Sequence, residues 1–268
     1  ETAVAALEAL REDEQAVVIE ADRGRGKSSA AGLAAGSLAA EGRDVLVTAP
    51  AFRSAAEVFA RARELLESVD SLTAAEDRKL VATAGRVEFR DPLDAIGAID
   101  DYDALIVDEA AALGVDLLES TLAADRVAYA TTVHGYEGAG RGFSVRFRDR
   151  LDASDHEVTD VTMSAPIRYA AGDPVEAWGF HALMLDARPP VDSLVADATP
   201  ESTTYRRIDA AGLASDEHLL REVFGLLVLA HYRTEPNDLA RLLDAPNVRV
   251  RALTHDGHVV SVALLARE

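Results

Sequence analysis

Over the first two-thirds of the chain, short apolar runs rich in β-branched residues alternate with alanine-rich stretches of helical period. The apolar runs predict strands at residues 16–21, 44–49, 104–108 and 127–133, and a further strand is expected at 157–163. The stretches between them predict helices at residues 28–40, 54–68 and 115–124. The first four runs are almost continuously apolar, which is typical of strands covered on both faces. This alternation predicts an α/β fold with a doubly wound parallel sheet, whose ligands lie at the carboxyl ends of the strands.

The pattern changes near residue 185. Residues 186–201 contain three of the nine prolines together with several Asp and Ser residues, a composition that indicates a domain boundary. Beyond it the sequence predicts helices at 217–232 and 236–243, strands at 248–253 and 258–266, and a hairpin turn at 254–257. Two strands rarely stand alone. We therefore expect one domain at residues 1–200 and the incomplete beginning of a second at 201–268.

Charge is the most unusual feature of the composition. The chain has 27 Lys and Arg against 47 Asp and Glu, a net charge of −20, and its only lysines are Lys27 and Lys79. Acidic proteins usually avoid nucleic acid, but scarce lysine and abundant alanine favour adaptation to high internal salt. In a cell with high internal salt, the Debye length is about 3 Å at 1 M ionic strength, so the repulsion among the acidic side chains is screened. The charge therefore does not exclude an RNA partner.

The lack of cysteine, of a long apolar run and of a secretory signal excludes several classes of protein. The chain has no cysteine, which excludes a disulfide scaffold, a thiolate zinc site and a thiol nucleophile, and its seven histidines show no ligand spacing. No apolar run approaches 18 residues, so no membrane span is predicted, and no secretory signal is found. A cytoplasmic protein is the expectation.

The first predicted strand leads into the glycine-rich segment 21–29 (ADRGRGKSS) and then into a helix. This is a Walker A motif with Ala21 where the first glycine commonly stands. Gly24 and Gly26 would let successive backbone N–H groups surround phosphate oxygens. Lys27 is expected to reach the β- and γ-phosphates and Ser28 to ligate Mg²⁺. The alternative, a glycine-rich turn with a capping serine, is disfavoured by the complete strand–loop–helix context.

A second strand ends in two acids. Residues 105–109 (LIVDE) form a Walker B pattern in which Asp108 would hold Mg²⁺ through water and Glu109 would polarise the attacking water. The same pair could instead cap a helix, but the Walker A motif upstream favours the nucleotide site.

Further candidates follow the next strands. Thr131 and Thr132 end a strand where helicase-type ATPases sense the γ-phosphate. The glycine-rich loop that follows contains His134, Glu137 and Arg141. His134 and Glu137 could take part in sensing the phosphate or could equally be surface residues. Arg141 could contact RNA or phosphate or could be a solvated surface charge. Arg168, beyond the strand at 157–163, could supply positive charge to the γ-phosphate or form a surface salt bridge.

Taken together, these segments resemble the tRNA(Met) cytidine acetyltransferase family. The matching phrases are ADRGRGKSS (21–29), VTAP (47–50), VDEAAAL (107–113), TTVHGYEGAGRGF (131–143), PIRYAAGDPVEAW (166–178) and LLVLAHYRTEPNDLARLLDAP (226–246). They span about 225 residues in the order of the family. Two segments, GYEGAGRGF within the fourth phrase and AHYRTEPNDL within the sixth, are far more specific than a Walker A motif alone.

The resemblance implies a helicase-like ATPase module followed by an acetyltransferase domain of the GNAT type. Members transfer acetyl from acetyl-CoA to N4 of a cytidine in tRNA, at the wobble position of elongator tRNA(Met), with hydrolysis of ATP or GTP in the presence of Mg²⁺. By this pattern the nucleotide-binding residues are Ala21, Asp22, Arg23, Gly24, Arg25, Gly26, Lys27, Ser28, Ser29 and Arg168. Lys27, Asp108 and Glu109 are the catalytic candidates, and Ser28 and Asp108 the metal ligands.

Several positions depart from the family pattern. A glutamine that contacts the base would fall before Glu1, His134 stands where relatives often have glutamine, and Ser261 replaces a usual glycine. The chain ends before the glycine-rich loop expected to bind acetyl-CoA, so the acetyl-transfer residues are expected elsewhere in the full protein.

Two other functions remain open from the residues. A stand-alone nucleic-acid helicase shares the motifs but needs a second RecA-like domain. A nucleotide-binding scaffold without turnover would have no need for Glu109. Oligomeric state is left open.

Overall fold

The structure, a computed structural model, describes residues 2–22, 24–132, 143, 147–167, 170, 172–185, 187, 190, 192–230 and 236–266. It divides into two compact units, one formed by the described residues up to 170 and the other by those from 172 onward. The functional boundary expected near residue 200 stays a prediction. No described helix combines the length and the apolar character needed to cross a membrane.

The first unit contains a large sheet flanked by helices. Its strands are β1 (Gln15–Ala21), β2 (Asp44–Thr48), β3 (Leu72–Glu76), β4 (Lys79–Ala82), β5 (Arg86–Phe89), β6 (Ala104–Val107), β7 (Arg126–Thr132) and β8 (Glu157–Met163). Its α-helices are α1 (Thr2–Ala9), α2 (Lys27–Ala40), α3 (Phe52–Ser68), α4 (Pro92–Ile96), α5 (Val115–Thr121) and α6 (Arg148–Asp152). Short 3₁₀ turns cover Ile99–Asp101 and Ala110–Ala112.

Strand order is β3-β4-β5-β2-β6-β7-β1-β8. The six strands from β5 to β8 in this order are all parallel, whereas β3 and β4 pair antiparallel. The predicted parallel sheet is therefore confirmed. Strand β7 lies between β1 and β6, which brings the carboxyl ends of the three strands that carry the predicted motifs to one edge.

Both faces of the central strands β1, β2, β6 and β7 are buried, as their continuous apolar runs predict. Val17 and Ile19 of β1 belong to a core formed with the alanine-rich α2 and with α3, while Val18 faces a second core that contains Tyr129. Helix α2 approaches α3 closely because Gly32 has no side chain, since a Cβ there would lie 2.4 Å from a carbonyl oxygen of α3. The alanine-rich composition thus serves close packing of helix on helix.

Strands β3 to β5 were not predicted from the sequence. They are only four or five residues long, and most positions of β3 are exposed, so they lack the apolar runs that identify the central strands. They extend the parallel core on the side away from β1. Helix α5 also ends three residues earlier than predicted.

The second unit contains α7 (Pro174–Ala182), α8 (Asp192–Val195), α9 (Ala210–Ser215), α10 (Glu217–Ala230), α11 (Pro236–Asp244), β9 (Thr204–Ile208), β10 (Val248–His255) and β11 (His258–Ala266). The strands form an antiparallel sheet in the order β11-β10-β9. Val223 and Phe224 of α10 pack with Val250 and Val259 in its core. The predicted hairpin and the helix at 236–243 are confirmed, and the helix predicted at 217–232 is confirmed as far as Ala230, since residues 231 and 232 lie outside the described residues. The mostly exposed strand β9 was missed, because its sequence TYRRI has no apolar alternation.

Candidate nucleotide-binding site

A glycine-rich loop connects the carboxyl end of β1 to the amino terminus of α2. Gly24 and Gly26 have φ angles of 79° and 92°, values in the left-handed region that glycine adopts without a steric penalty. A Cβ at Gly26 would also lie 2.4 Å from Cδ1 of Ile167. The turn of the backbone therefore favours glycine at both positions, and at Gly26 the close approach of Ile167 adds a second reason.

Lys27, the first residue of α2, is buried although it carries a charge. Its Nζ donates hydrogen bonds to the carbonyl oxygens of Ala21 at 3.1 Å and Asp22 at 3.4 Å. These contacts hold the ammonium group across the loop, beside the helix amino terminus. Together the ammonium group and the N–H groups of a helix start attract anions such as phosphate.

The Walker B strand β6 delivers Asp108 to the same edge of the sheet. The Ser28 hydroxyl donates to Oδ1 of Asp108 at 3.2 Å, and the backbone N–H of Glu109 donates to the same oxygen at 3.0 Å. Asp108 is completely buried, and its Oδ2 has no hydrogen-bond partner within the described ranges. A buried carboxylate oxygen without a partner is unfavourable unless something binds it.

The donor set at this position fits a magnesium ion. Mg²⁺ is held by one or two carboxylates and hydroxyls together with water and phosphate oxygens. Ser28 and Asp108 supply these oxygen types within one hydrogen bond of each other, and the buried Oδ2 is an oxygen left for such a ligand.

Glu109 follows Asp108 in an unusual backbone conformation. Its φ and ψ are 50° and 43°, in the left-handed region that costs a side-chain-bearing residue energy. Strained residues of this kind cluster at functional sites. This conformation places Glu109 at the turn between β6 and the 3₁₀ turn Ala110–Ala112.

Burial raises the pKa of Asp108 from its ordinary value of 3.8 to about 6. Desolvation is the largest cause; the Ser28 hydrogen bond opposes it, and the charge of Glu109 adds to it. The folded protein therefore binds this proton more tightly than the unfolded chain. Stability from this group is present below about pH 4 and is lost as the pH rises through about 6.

We expect Asp108→Asn to remove this pH dependence. Without Mg²⁺ or nucleotide, the free energy of unfolding of the wild type should fall between pH 4 and pH 7 by about 2 kcal/mol more than that of the variant, because the pKa rises by about two units on folding. Urea unfolding in KCl across this pH range measures the difference. Exposed Asp116→Asn is the control, and parallel curves for Asp108→Asn and the wild type would contradict the prediction.

The carboxyl end of β7 completes the edge of the sheet. Thr132 pairs with Ala21 of β1 in the parallel register. Thr131 is buried, and its hydroxyl has no hydrogen-bond partner within the described part of the chain. A buried hydroxyl one residue before the carboxyl end of β7 is suited to contact a ligand bound at this edge.

The remaining predicted residues are distributed as follows. The Ser29 hydroxyl donates to Glu57 of α3 at 2.7 Å, and Arg25 is buried within the loop. The other predicted candidates lie outside the described residues: Arg23, His134, Glu137, Arg141 and Arg168.

Ile167 contacts the glycine-rich loop, which the sequence did not predict. Its backbone N–H donates to the Gly24 carbonyl oxygen at 3.4 Å, and its side chain lies over Gly26. Ile167 thus brings the segment after β8 onto the glycine-rich loop. Its place immediately before Arg168 in the phrase PIRY was the available signal.

Comparison with known proteins identifies relatives across almost the whole chain. The chain is 70% identical over 269 residues to "tRNA(Met) cytidine acetyltransferase TmcA" of Haloferax volcanii, covering 99% of this chain and 36% of that protein. It is 66% identical to the protein of the same name from Haloarcula marismortui, covering 99% of this chain and 35% of that protein. The chain therefore spans about a third of the length of these relatives. Both sources are halophilic archaea, in agreement with the salt adaptation inferred from composition.

Among solved structures, the large terminase of a thermophilic bacteriophage matches with a TM-score of 0.50 at 9% identity, over 99% of this chain and 68% of that one. At this identity the likeness concerns the fold alone.

A sequence model described as "RNA cytidine acetyltransferase NAT10/TcmA, helicase domain" matches residues 18–186. Those residues contain the glycine-rich loop, Asp108 and Glu109, and all of β1 to β8 except the first three residues of β1. The resemblance inferred from the motifs is thereby confirmed, and the chain belongs to the RNA cytidine acetyltransferase NAT10/TcmA family through its helicase domain.

Proposed function

We propose that the first unit binds ATP or GTP with Mg²⁺ and hydrolyses it. The observation that carries the proposal is the contact between Ser28 and Asp108, with a buried oxygen of Asp108 left for a ligand beside the loop that holds Lys27. These groups come from two different strand ends. A capping serine or a simple turn would not require, at the same place, a buried carboxylate oxygen that has no partner among the described residues.

Each residue has a distinct part in this proposal. Ser28 and Asp108 would hold Mg²⁺, which neutralises charge on the phosphates. Lys27 leaves its carbonyl partners to bind the β- and γ-phosphate oxygens and stabilises charge that develops between them. Glu109 orients the attacking water. Arg168, placed by its motif, supplies a second positive charge to the γ-phosphate.

Beyond this site, we propose that the full protein acetylates N4 of a cytidine in elongator tRNA(Met). The proposal rests on relatives named for tRNA(Met) cytidine acetylation, of which this chain corresponds to about a third. Residues 201–268 would begin the GNAT acetyltransferase domain, and acetyl-CoA would bind farther along the full protein. Hydrolysis would position the RNA for that domain, in the cytoplasm.

Nucleotide turnover by this chain tests the proposal. Hydrolysis of ATP and of GTP is measured at multimolar KCl with Mg²⁺ or EDTA, with and without tRNA(Met). We expect Mg²⁺-dependent hydrolysis that increases with tRNA. Tight nucleotide binding without turnover in either condition would favour a scaffold, and strand separation by this chain alone would favour a stand-alone helicase.

A further inference from the structure

Three potential metal ligands meet in the second unit, outside the nucleotide site. His218 and Glu222 lie one turn apart on α10, and His258 is the first residue of β11. Oε1 of Glu222 is 3.2 Å from Nε2 of His218 and 2.7 Å from Nδ1 of His258. One ligand atom from each residue lies within 4.8 Å of the others.

The carboxylate at the centre of this trio is buried and oriented. The Glu222 side chain is 6% exposed, and its Oε2 accepts a hydrogen bond from the backbone N–H of Val259 at 2.8 Å. This bond fixes the carboxylate so that Oε1 faces both imidazoles. Hydrogen bonding of a ligand by a neighbouring backbone group is the usual way in which metal sites orient their ligands.

Backbone geometry makes the arrangement rigid. Residues at i and i+4 of a helix lie on the same face, and α10 packs its apolar side into the core of the second unit. His258 follows the turn at Asp256 and Gly257, both with positive φ, that joins β10 to β11. The three ligands therefore come from two elements that the core already holds together.

We propose that His218, Glu222 and His258 bind a divalent transition-metal ion of the Zn²⁺, Ni²⁺ or Cu²⁺ class. Two imidazole nitrogens and one carboxylate oxygen suit these ions, whereas Mg²⁺ and Ca²⁺ take oxygen ligands. With bonds of 2.0–2.1 Å, tetrahedral ligand atoms are about 3.3 Å apart. The distances of 2.7 and 3.2 Å require only a small separation of the side chains.

The exposure of the ligands indicates the open side of the site. His218 is 62% exposed and His258 is 24% exposed, so water can complete the coordination from the solvent side. Bound there, the ion would link α10 to β11 and stabilise the second unit. An ion that binds only the folded state raises the free energy of unfolding, and the gain grows with the logarithm of the ratio of ion concentration to Kd.

Titration of the untagged protein with Zn²⁺ and with Co²⁺, in KCl, tests the site. Calorimetry should show that one equivalent of Zn²⁺ binds with high affinity, and the bound Zn²⁺ should raise the Tm of the protein. Bound Co²⁺ should show the visible absorption of a four-coordinate site. His218→Ala and His258→Ala should each weaken this binding at least about 100-fold, since even partners that only orient a ligand contribute 10- to 100-fold.

The control is His181→Ala. His181 is an exposed histidine that also lies beside a glutamate, Glu217, at 3.3 Å. This variant should still bind one equivalent of Zn²⁺ with high affinity and should still show the rise in Tm on binding. Because His218 is mostly exposed, His218→Ala should fold, which its Tm without metal verifies. The proposal would be overturned if His218→Ala bound Zn²⁺ with unchanged stoichiometry and Tm rise, or if His181→Ala lost Zn²⁺ binding to the same extent as His218→Ala. The three residues would then form a hydrogen-bonded cluster without a metal ion.

Discussion

Replacing Lys27 with alanine is expected to lower Mg²⁺-dependent nucleotide hydrolysis strongly and to weaken nucleotide binding. The ammonium group is buried at the amino terminus of α2 and held by two loop carbonyl oxygens, so it is already positioned beside the expected phosphates. Losing a preorganised charge from a site of this kind lowers turnover by about 100- to 1000-fold. Steady-state hydrolysis and a fluorescent-nucleotide titration measure the two effects.

The chain offers a closely matched control for this change. Lys79 on β4 is its only other lysine, and it pairs with Glu88 at 3.1 Å on the part of the sheet formed by β4 and β5. Lys79→Ala removes the same side chain and the same charge, and it should hydrolyse nucleotide as the wild type does. Equal activity of Lys27→Ala and Lys79→Ala would refute the assignment of the glycine-rich loop.

Glu109→Gln is expected to separate binding from turnover. The amide keeps the size of the side chain and the left-handed backbone at this position, but it cannot accept a proton from the attacking water. Loss of a positioned base lowers the rate by about 100- to 10 000-fold. Because Lys27, Ser28 and Asp108 are intact in this variant, nucleotide affinity should stay that of the wild type. Single-turnover hydrolysis and equilibrium binding, measured on the same preparation, test both parts.

Glu119→Gln serves as the matched control. Glu119 is an exposed residue of α5 that pairs with Arg150, so the same chemical change there should affect neither binding nor hydrolysis. If Glu109→Gln retained full turnover, another group would have to orient the water, and the role proposed for Glu109 would be wrong. If it lost affinity as strongly as Lys27→Ala, Glu109 would be acting in nucleotide binding.

Much of the candidate nucleotide-binding site could be predicted because its features are local in sequence. The glycine-rich loop needs only a strand, two glycines, Lys27 and a helix in succession. Asp108 and Glu109 need only an apolar strand before them. What sequence could not provide is the interaction between these segments, such as the approach of Ile167 to Gly26, because that contact joins residues about 140 positions apart.

The sequence by itself determined the parallel sheet, the loop and the family, because periodicity, glycine placement and motif phrases are properties of neighbouring residues. Only the tertiary structure decided that β7 lies between β1 and β6, that three short strands extend the sheet, and that Asp108 is fully buried with a raised pKa. It also decided that His258 meets His218 and Glu222 some 40 residues away. Strand order, burial and side-chain clusters depend on packing between distant segments, which the pattern along a chain does not encode.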